Sequence, residues 1–338
     1  MLTGVVASPG AEPGAGSDES LPVYRLADML ADPLAPRRLS VAATWGDAAI
    51  TLDIPGGPYA FCGLNTASQS AALQRFEPAV SVLPAFAAGA IRTTVRRVEP
   101  GVFRPPVDPR YVFELAQSSG PDGVDLAGWR LVGRLELGDP IRGSLGVACA
   151  EDLLRMGDLE NYLRFLVAHR LLALGGLLMH SACVVHRGWA YLFVGRSGAG
   201  KTTVASLALE AGLTVLSDDM NALIRGIRAS EPPRAYKLPF AGTLGQRITQ
   251  SGDHPLRAIC WLDKGDRLGV TSLRGAKAVA HLAACAPYVN GDPFRVGRLL
   301  QTLEHFVAIL PTVVLTFPRG VDAVRAIEEV DKHVARVG

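Results

Sequence analysis

Between an apolar run, Trp189-Ala190-Tyr191-Leu192-Phe193-Val194, and a helix-compatible stretch lies Gly195-Arg196-Ser197-Gly198-Ala199-Gly200-Lys201-Thr202. This octet fits G-x-x-x-x-G-K-[ST], and its flanks predict strand, loop and helix in that order. A strand that feeds a glycine-rich turn into a helix belongs in an α/β sheet, so the octet constrains the fold of everything around it. Gly195, Gly198 and Gly200 let backbone N–H groups curl inward around an anion, and the helix adds its positive N-terminal end. Lysine is rare here, at positions 201, 237, 264, 277 and 332 only, so the first lysine of the chain falls at the last turn of this loop. Without an anion the same octet would be an ordinary strand-to-helix turn.

The upstream partner is short-range. Ala182-Cys183-Val184-Val185-His186 precedes the loop-bearing strand by only Arg187-Gly188, which forces an antiparallel hairpin. Downstream, a helix over about 201–210 closes at Gly212, and the strand Leu213–Leu216 ends at Ser217-Asp218-Asp219. Further strands are expected at Ala258–Leu262 and Thr312–Phe317, with helices at about 276–286, 293–308 and 321–335. Leu159, Tyr162, Leu163, Phe165, Leu166, Leu171 and Leu172 recur at helical spacing up to Gly175-Gly176, so a helix should join the two halves. From Val23 to Val147 the pattern changes to short apolar or alternating runs, such as 48–54 and 130–137, separated by turn clusters at 55–58, 105–106 and 121–123. Residues 1–20, rich in Gly, Pro, Ser and Ala, read as a loose tail. The expected layout is a 1–20 tail, a β-rich module at 21–150 and an α/β domain at 151–338.

Composition narrows the function classes. With 338 residues, 49% hydrophobic and 20% charged, the chain is globular, neither disordered nor a coiled coil. A net charge of +2 and 7% aromatics give no basic field and no stacking platform for nucleic acid. Cys62, Cys149, Cys183, Cys260 and Cys285 are scattered, odd in number and without a CxxC pair, so they read as reduced residues, not a zinc site or disulfide framework. No run is long enough to span a bilayer and the N-terminus lacks a signal-peptide pattern, so a cytoplasmic protein without membrane partners is expected.

The chemistry-bearing residues cluster around the loop. Gly195, Arg196, Ser197, Gly198, Ala199, Gly200, Lys201, Thr202 and Thr203 form the expected nucleotide-binding set, with a nucleoside triphosphate and Mg²⁺ as ligands. Lys201 would reach the β- and γ-phosphates and the Thr202 hydroxyl would ligate the metal. Asp218 and Asp219 follow Lys201 by seventeen and eighteen residues, at the end of an apolar strand where an α/β sheet places ligand-binding groups. Two adjacent carboxylates can divide metal binding and proton acceptance between them; alone they could equally serve as a turn or helix cap. His180 stands fifteen residues before Gly195, just ahead of the hairpin. Arg196 and Lys237 are candidates for neutralising transition-state charge, or surface cations.

The stretch from His180-Ser181-Ala182-Cys183-Val184-Val185 through the loop and Thr203 to Leu213-Thr214-Val215-Leu216-Ser217-Asp218-Asp219 resembles the HPr kinase/phosphorylase superfamily. These are P-loop phosphotransferases whose fold is related to ATP-dependent phosphoenolpyruvate carboxykinase. The resemblance extends weakly to 235–243 and to the strand and helix at 310–330. It implies an HPr-kinase-like C-terminal domain with a mixed sheet, and ATP-dependent transfer of the γ-phosphoryl group to a hydroxyl. By that analogy Asp219 is the base, Asp218 the metal-side partner and His180 a residue lining the phosphate site, although the two aspartates could exchange roles. The family's acidic metal-binding segment and its Arg- and Pro-rich loop have no counterpart here. The implied acceptor is therefore a Ser or Thr of a peptide or protein other than HPr, and homo-oligomers are common among relatives. A nucleotide-binding regulator or scaffold with little or no catalysis is the alternative.

Overall fold

The computed structural model of the protein describes residues 3–6, 43–82, 89–98, 115–128, 130–147, 154–226, 228, 230–240, 242–248 and 252–337. The chain divides into two compact units, Met1–Val167 with Gly291–Phe294, and Ala168–Asn290 with Arg295–Gly338. A β-rich N-terminal region thus precedes an α/β C-terminal domain with a mixed sheet, the fold class expected from the sequence. The division falls inside a helix, at 167/168, whereas the change of pattern suggests 150/151, because a continuous helix carries no local signal at the point where one core ends. The expected turn at 105–106, Cys149, and residues 7–20 of the tail lie outside the described residues.

In the first unit nine strands form one sheet: β1 (Thr3–Val6), β2 (Ala48–Leu52), β3 (Tyr59–Leu64), β4 (Val80–Ser81), β5 (Ile91–Arg97), β6 (Leu115–Ser119), β7 (Gly123–Gly128), β8 (Leu131–Glu136) and β9 (Arg142–Val147). Their order is β1-β6-β7-β8-β9-β5-β3-β2-β4, with β5 parallel to both β3 and β9. β1 corrects the loose-tail expectation for four of its residues, since Thr3 and Val6 pair with Gln117 and Leu115. A helix, α1 (Thr66–Phe76), also stands within the β-rich module, where the alternating pattern predicts no helix. It starts at Asn65, whose side chain accepts from the Ser68 amide at 2.8 Å and so satisfies one of the open N–H groups of the first turn.

Tyr162, on α2 (Met156–Ala173), sets the packing of this unit. It is fully buried, stacks edge-on to Phe61 and donates its hydroxyl to the Arg134 carbonyl at 3.1 Å. Two glycines make its space: a Cβ on Gly133 would lie 2.7 Å from the ring and one on Gly143 would lie 2.2 Å from the hydroxyl. Interior strand glycines cost entropy, and here that cost is offset by room for a large aromatic.

The second unit contains β10 (Leu177–His186), β11 (Trp189–Val194), α3 (Lys201–Glu210), β12 (Thr214–Ser217), β13 (Met220–Ile224), β14 (Arg234–Lys237), β15 (Asp253–Asp263), β16 (Gly269–Ser272), α4 (Gly275–Ala283), α5 (Val296–Ile309), β17 (Thr312–Thr316) and α6 (Ala323–Val337). The two-residue hairpin holds: Arg187 and Gly188 both take positive φ, 52° and 82°, as a primed turn requires, and His186 faces Trp189. β10 begins earlier than the apolar run suggests, and its first four residues pair with β13. Ladders β10–β11, β11–β15, β15–β14, β14–β13 and β13–β10 form a closed circuit of five strands. α3 and α6 cover one side, where Val204, Ala205, Ala208, Ala326, Ile327 and Val330 pack with Phe193, Val215, Cys260 and Val313. Burying each large apolar side chain contributes about 1.5–3 kcal/mol. Cys183, Cys260 and Cys285 are buried free thiols and Cys62 is a half-buried one. No helix among the described residues is long and apolar enough to cross a membrane.

Gly143→Ala is expected to destabilise the first unit by about 1–3 kcal/mol, because the added methyl meets Tyr162 and the Thr93 hydroxyl at 2.5 Å. Urea unfolding followed by Tyr and Trp fluorescence checks this; an unchanged midpoint refutes the packing account.

Candidate functional site

β10 is the axis of the site. On one side Ser181 pairs with Val194, the last residue before the loop; on the other His180 pairs with Met220, the first residue after the aspartates. Strands lie about 4.8 Å apart, so the backbones of the strands that carry the loop and the aspartates stand roughly 10 Å from each other, with β10 between them. An extra residue, Leu216, bulges between the pairs Val184–Val215 and Cys183–Ser217, just before the strand delivers Asp218 and Asp219. Ser217 fixes the turn by accepting from the Asp219 and Met220 amides at 3.1 and 3.2 Å. Asn221, fully buried, donates to the Ser181 carbonyl at 2.8 Å and to its hydroxyl at 3.0 Å, which locks β13 to β10 beside the site.

The loop has the shape its glycines predict. Gly198 and Gly200 take φ of +70° and +105°, which a side chain would resist, and α3 begins directly after Gly200. Arg196, Ser197 and Gly198 are exposed, Ala199, Gly200 and Thr202 half-buried, and Thr203 exposed. Lys201 turns back under the loop: its ammonium donates to the carbonyls of Gly195 and Arg196 at 3.1 and 3.3 Å. Burial pushes its pKa down, while the Cys285 thiol and the Asp219 carboxylate push it back up.

The aspartates separate in space. Asp218 receives the Leu244 amide at 3.3 Å and is hydrogen-bonded by the Thr202 hydroxyl; burial raises its pKa, and those donors with the Thr243 amide lower it again. Asp219 lies against His180, Oδ1 to Nδ1 at 3.4 Å, and its carbonyl accepts from the Ser181 amide at 2.9 Å. Thus Lys201, Thr202, Asp218, Asp219 and His180 come together. Lys237 instead donates to the Ile248 carbonyl at 2.9 Å, and burial lowers its pKa.

Four contributors lie outside the motif. Cys285, just beyond α4, accepts the His180 amide on its carbonyl at 2.8 Å, and its thiol donates to the Gly195 carbonyl at 3.9 Å. Nothing local in the sequence links it to a loop ninety residues away. Gly242 is the second: a Cβ there would lie 2.1 Å from Asp218 Oδ1 and 3.0 Å from the Asp219 Cβ, so only glycine fits against the pair. Ser217 could have been found, since a serine ahead of two aspartates is a turn signal, whereas Asn221 gives none. A cavity of about 880 Å³ in this unit is lined by Leu273, Val279, Leu300, Ile309, Val334 and other residues of α4–α6, β16 and β17, and by none of the loop.

The lowered pKa of Lys201 has a signed consequence. The native state loses this proton before the unfolded chain does, so the buried ammonium costs stability below its lowered pKa, and the cost fades as pH rises toward 10.5. Lys201→Met should therefore match or exceed the wild-type thermal midpoint at pH 7, with any advantage narrowing by pH 10. A midpoint several degrees lower at pH 7, followed by calorimetry, refutes this.

Comparison with known proteins adds three findings. The family model described as SynChlorMet cassette protein ScmC matches residues 151–302, just under half of the chain. A search of solved structures finds the Hpr(Ser) kinase/phosphatase from Coxiella burnetii at 9% identity and a TM-score of 0.27, covering 47% of this chain and 97% of that one. That likeness is too loose to bear on the reaction. No curated protein matches the chain.

Proposed function

We propose that the protein is an ATP-dependent kinase that transfers the γ-phosphoryl group to a hydroxyl, the acceptor being a Ser or Thr of a peptide or protein other than HPr. The observation that carries this reading is the placement of Asp219 beside both His180 and Lys201, at the foot of a glycine-rich loop opening a helix. A site that only held nucleotide would need the loop amides and the lysine; it has no use for a buried carboxylate facing them.

The roles follow from chemistry. Loop amides and Lys201 grip the β- and γ-phosphates, fixing the γ-phosphorus for in-line attack. The acceptor oxygen bonds to that phosphorus, its proton passes to Asp219, and the bond to the leaving ADP oxygen breaks. His180 orients the Asp219 carboxylate through its Nδ1. The Thr202 hydroxyl and the Asp218 carboxylate, hydrogen-bonded to each other, form a hard oxygen pair that suits Mg²⁺. Thr202 and Asp218 would hold such an ion, which would supply neutralisation of the phosphate charge.

The test uses γ-labelled ATP, Mg²⁺ and a lysate or peptide pool. Label should move to an acid-stable hydroxyl ester with wild type. Asp219→Asn should keep nucleotide affinity and lose about 10²–10⁴ in rate, whereas Lys201→Ala should lose affinity and turnover together. Equal rates for Asp219→Asn and wild type sink the base assignment. Tight nucleotide binding with neither transfer nor phosphate release replaces the kinase with an ATP-binding regulator.

A further inference from the structure

The outer face of the first unit's sheet carries a row of charges beside a cavity. Arg92 on β5 stands directly beside Arg142 on β9, and Arg142 beside Glu136 on β8. One step along, Thr94, Ser144 and Arg134 form the next row across the same strands. With strands about 4.8 Å apart, each row spans roughly 10 Å. These six side chains line a cavity of about 690 Å³, within the range of small-ligand sites. Arg134 is held by Asp125, with contacts of 2.8 and 3.0 Å, so one of the three guanidiniums has its own carboxylate and its direction is fixed.

Like charges set side by side on a sheet repel, and Arg92 and Arg142 share a register position, with Arg142 standing between Arg92 and Glu136. Guanidiniums present forked donors matched to carboxylate and phosphate, and the Thr94 and Ser144 hydroxyls at the floor add two more donors. We propose that this cavity is a binding site for an oxyanion-bearing ligand, recognised through carboxylate or phosphate groups by Arg92 and Arg142. It is separate from the phosphate loop and does not rest on the kinase reading. The same chemistry can come from an acidic peptide segment or from a small polyanion.

The experiment titrates the full chain at low salt with a fluorescein-labelled deca-glutamate peptide, its deca-glutamine counterpart, and citrate or inorganic phosphate as unlabelled competitors. Wild type should bind the glutamate peptide or the small anions, and ignore the glutamine peptide. Arg92→Gln/Arg142→Gln should weaken binding at least tenfold, and Arg142→Lys, which keeps the charge but loses the fork, should fall between. Displacement by citrate or phosphate at micromolar concentration identifies a small-anion site; peptide binding that resists them identifies a peptide groove, and either supports the proposal. Binding must survive Lys201→Ala. Loss in Lys201→Ala with retention in the double arginine variant assigns the anion to the phosphate loop and overturns the proposal, as does the absence of binding by any probe. Folding of each variant is controlled by far-UV circular dichroism and a cooperative ligand-free thermal transition.

Discussion

A buried ammonium must be surrounded by oxygen, and the site is organised by how Lys201 meets that demand. The carbonyls of Gly195 and Arg196 turn toward it, and the loop can place them there because Gly198 and Gly200 adopt left-handed backbone that other residues resist. Those bonds satisfy two carbonyls of the turn, one of which, that of Arg196, also accepts from the Ala199 amide at 3.1 Å. The negative charge that balances the lysine cannot come from the loop's own strand, whose inner residues are all apolar. It comes from Asp219, which is two strands away and is brought within electrostatic reach by the shared neighbour β10.

That arrangement explains what the sequence discloses and what it hides. The hairpin, the loop and α3 are legible because each is local: a two-residue link, three glycines and a run of helix formers specify them without outside help. The proximity of His180 and Asp219 is half legible, since both flank strands that must pair, but the register that aligns them depends on a bulge at Leu216 that no residue type announces. Cys285 and Gly242 are invisible, because they reach the site through tertiary packing and carry no chemistry of their own. In the first unit the same rule hides α1, whose moderate apolar face is surrounded by strand-like sequence, and conceals why Gly133 and Gly143 stand in strands. The reason is Tyr162, which lies nineteen residues beyond the nearer of them. The charged row is hidden likewise, since Arg92 and Arg142 meet only because β5 and β9 run parallel.

Residue choice differs between Lys201 and the arginine row of the first unit. Nearly all of the 34 basic residues are arginine, which keeps its charge under any accessible condition and suits exposed, forked recognition such as the Arg92–Arg142 row. Burying such a group would hold an unalterable charge in a poor solvent. Lysine differs because its pKa can shift: burial lowers that of Lys201, and Cys285 and Asp219 oppose the shift. On the proposed function, a polyphosphate at the loop would push that pKa back up, because several negative oxygens beside the amine favour its protonated form. On that reading the ammonium would be most strongly stabilised with phosphate beside it, so part of the binding energy would be realised only in the complex. An arginine at position 201 would carry the same formal charge and forfeit that coupling.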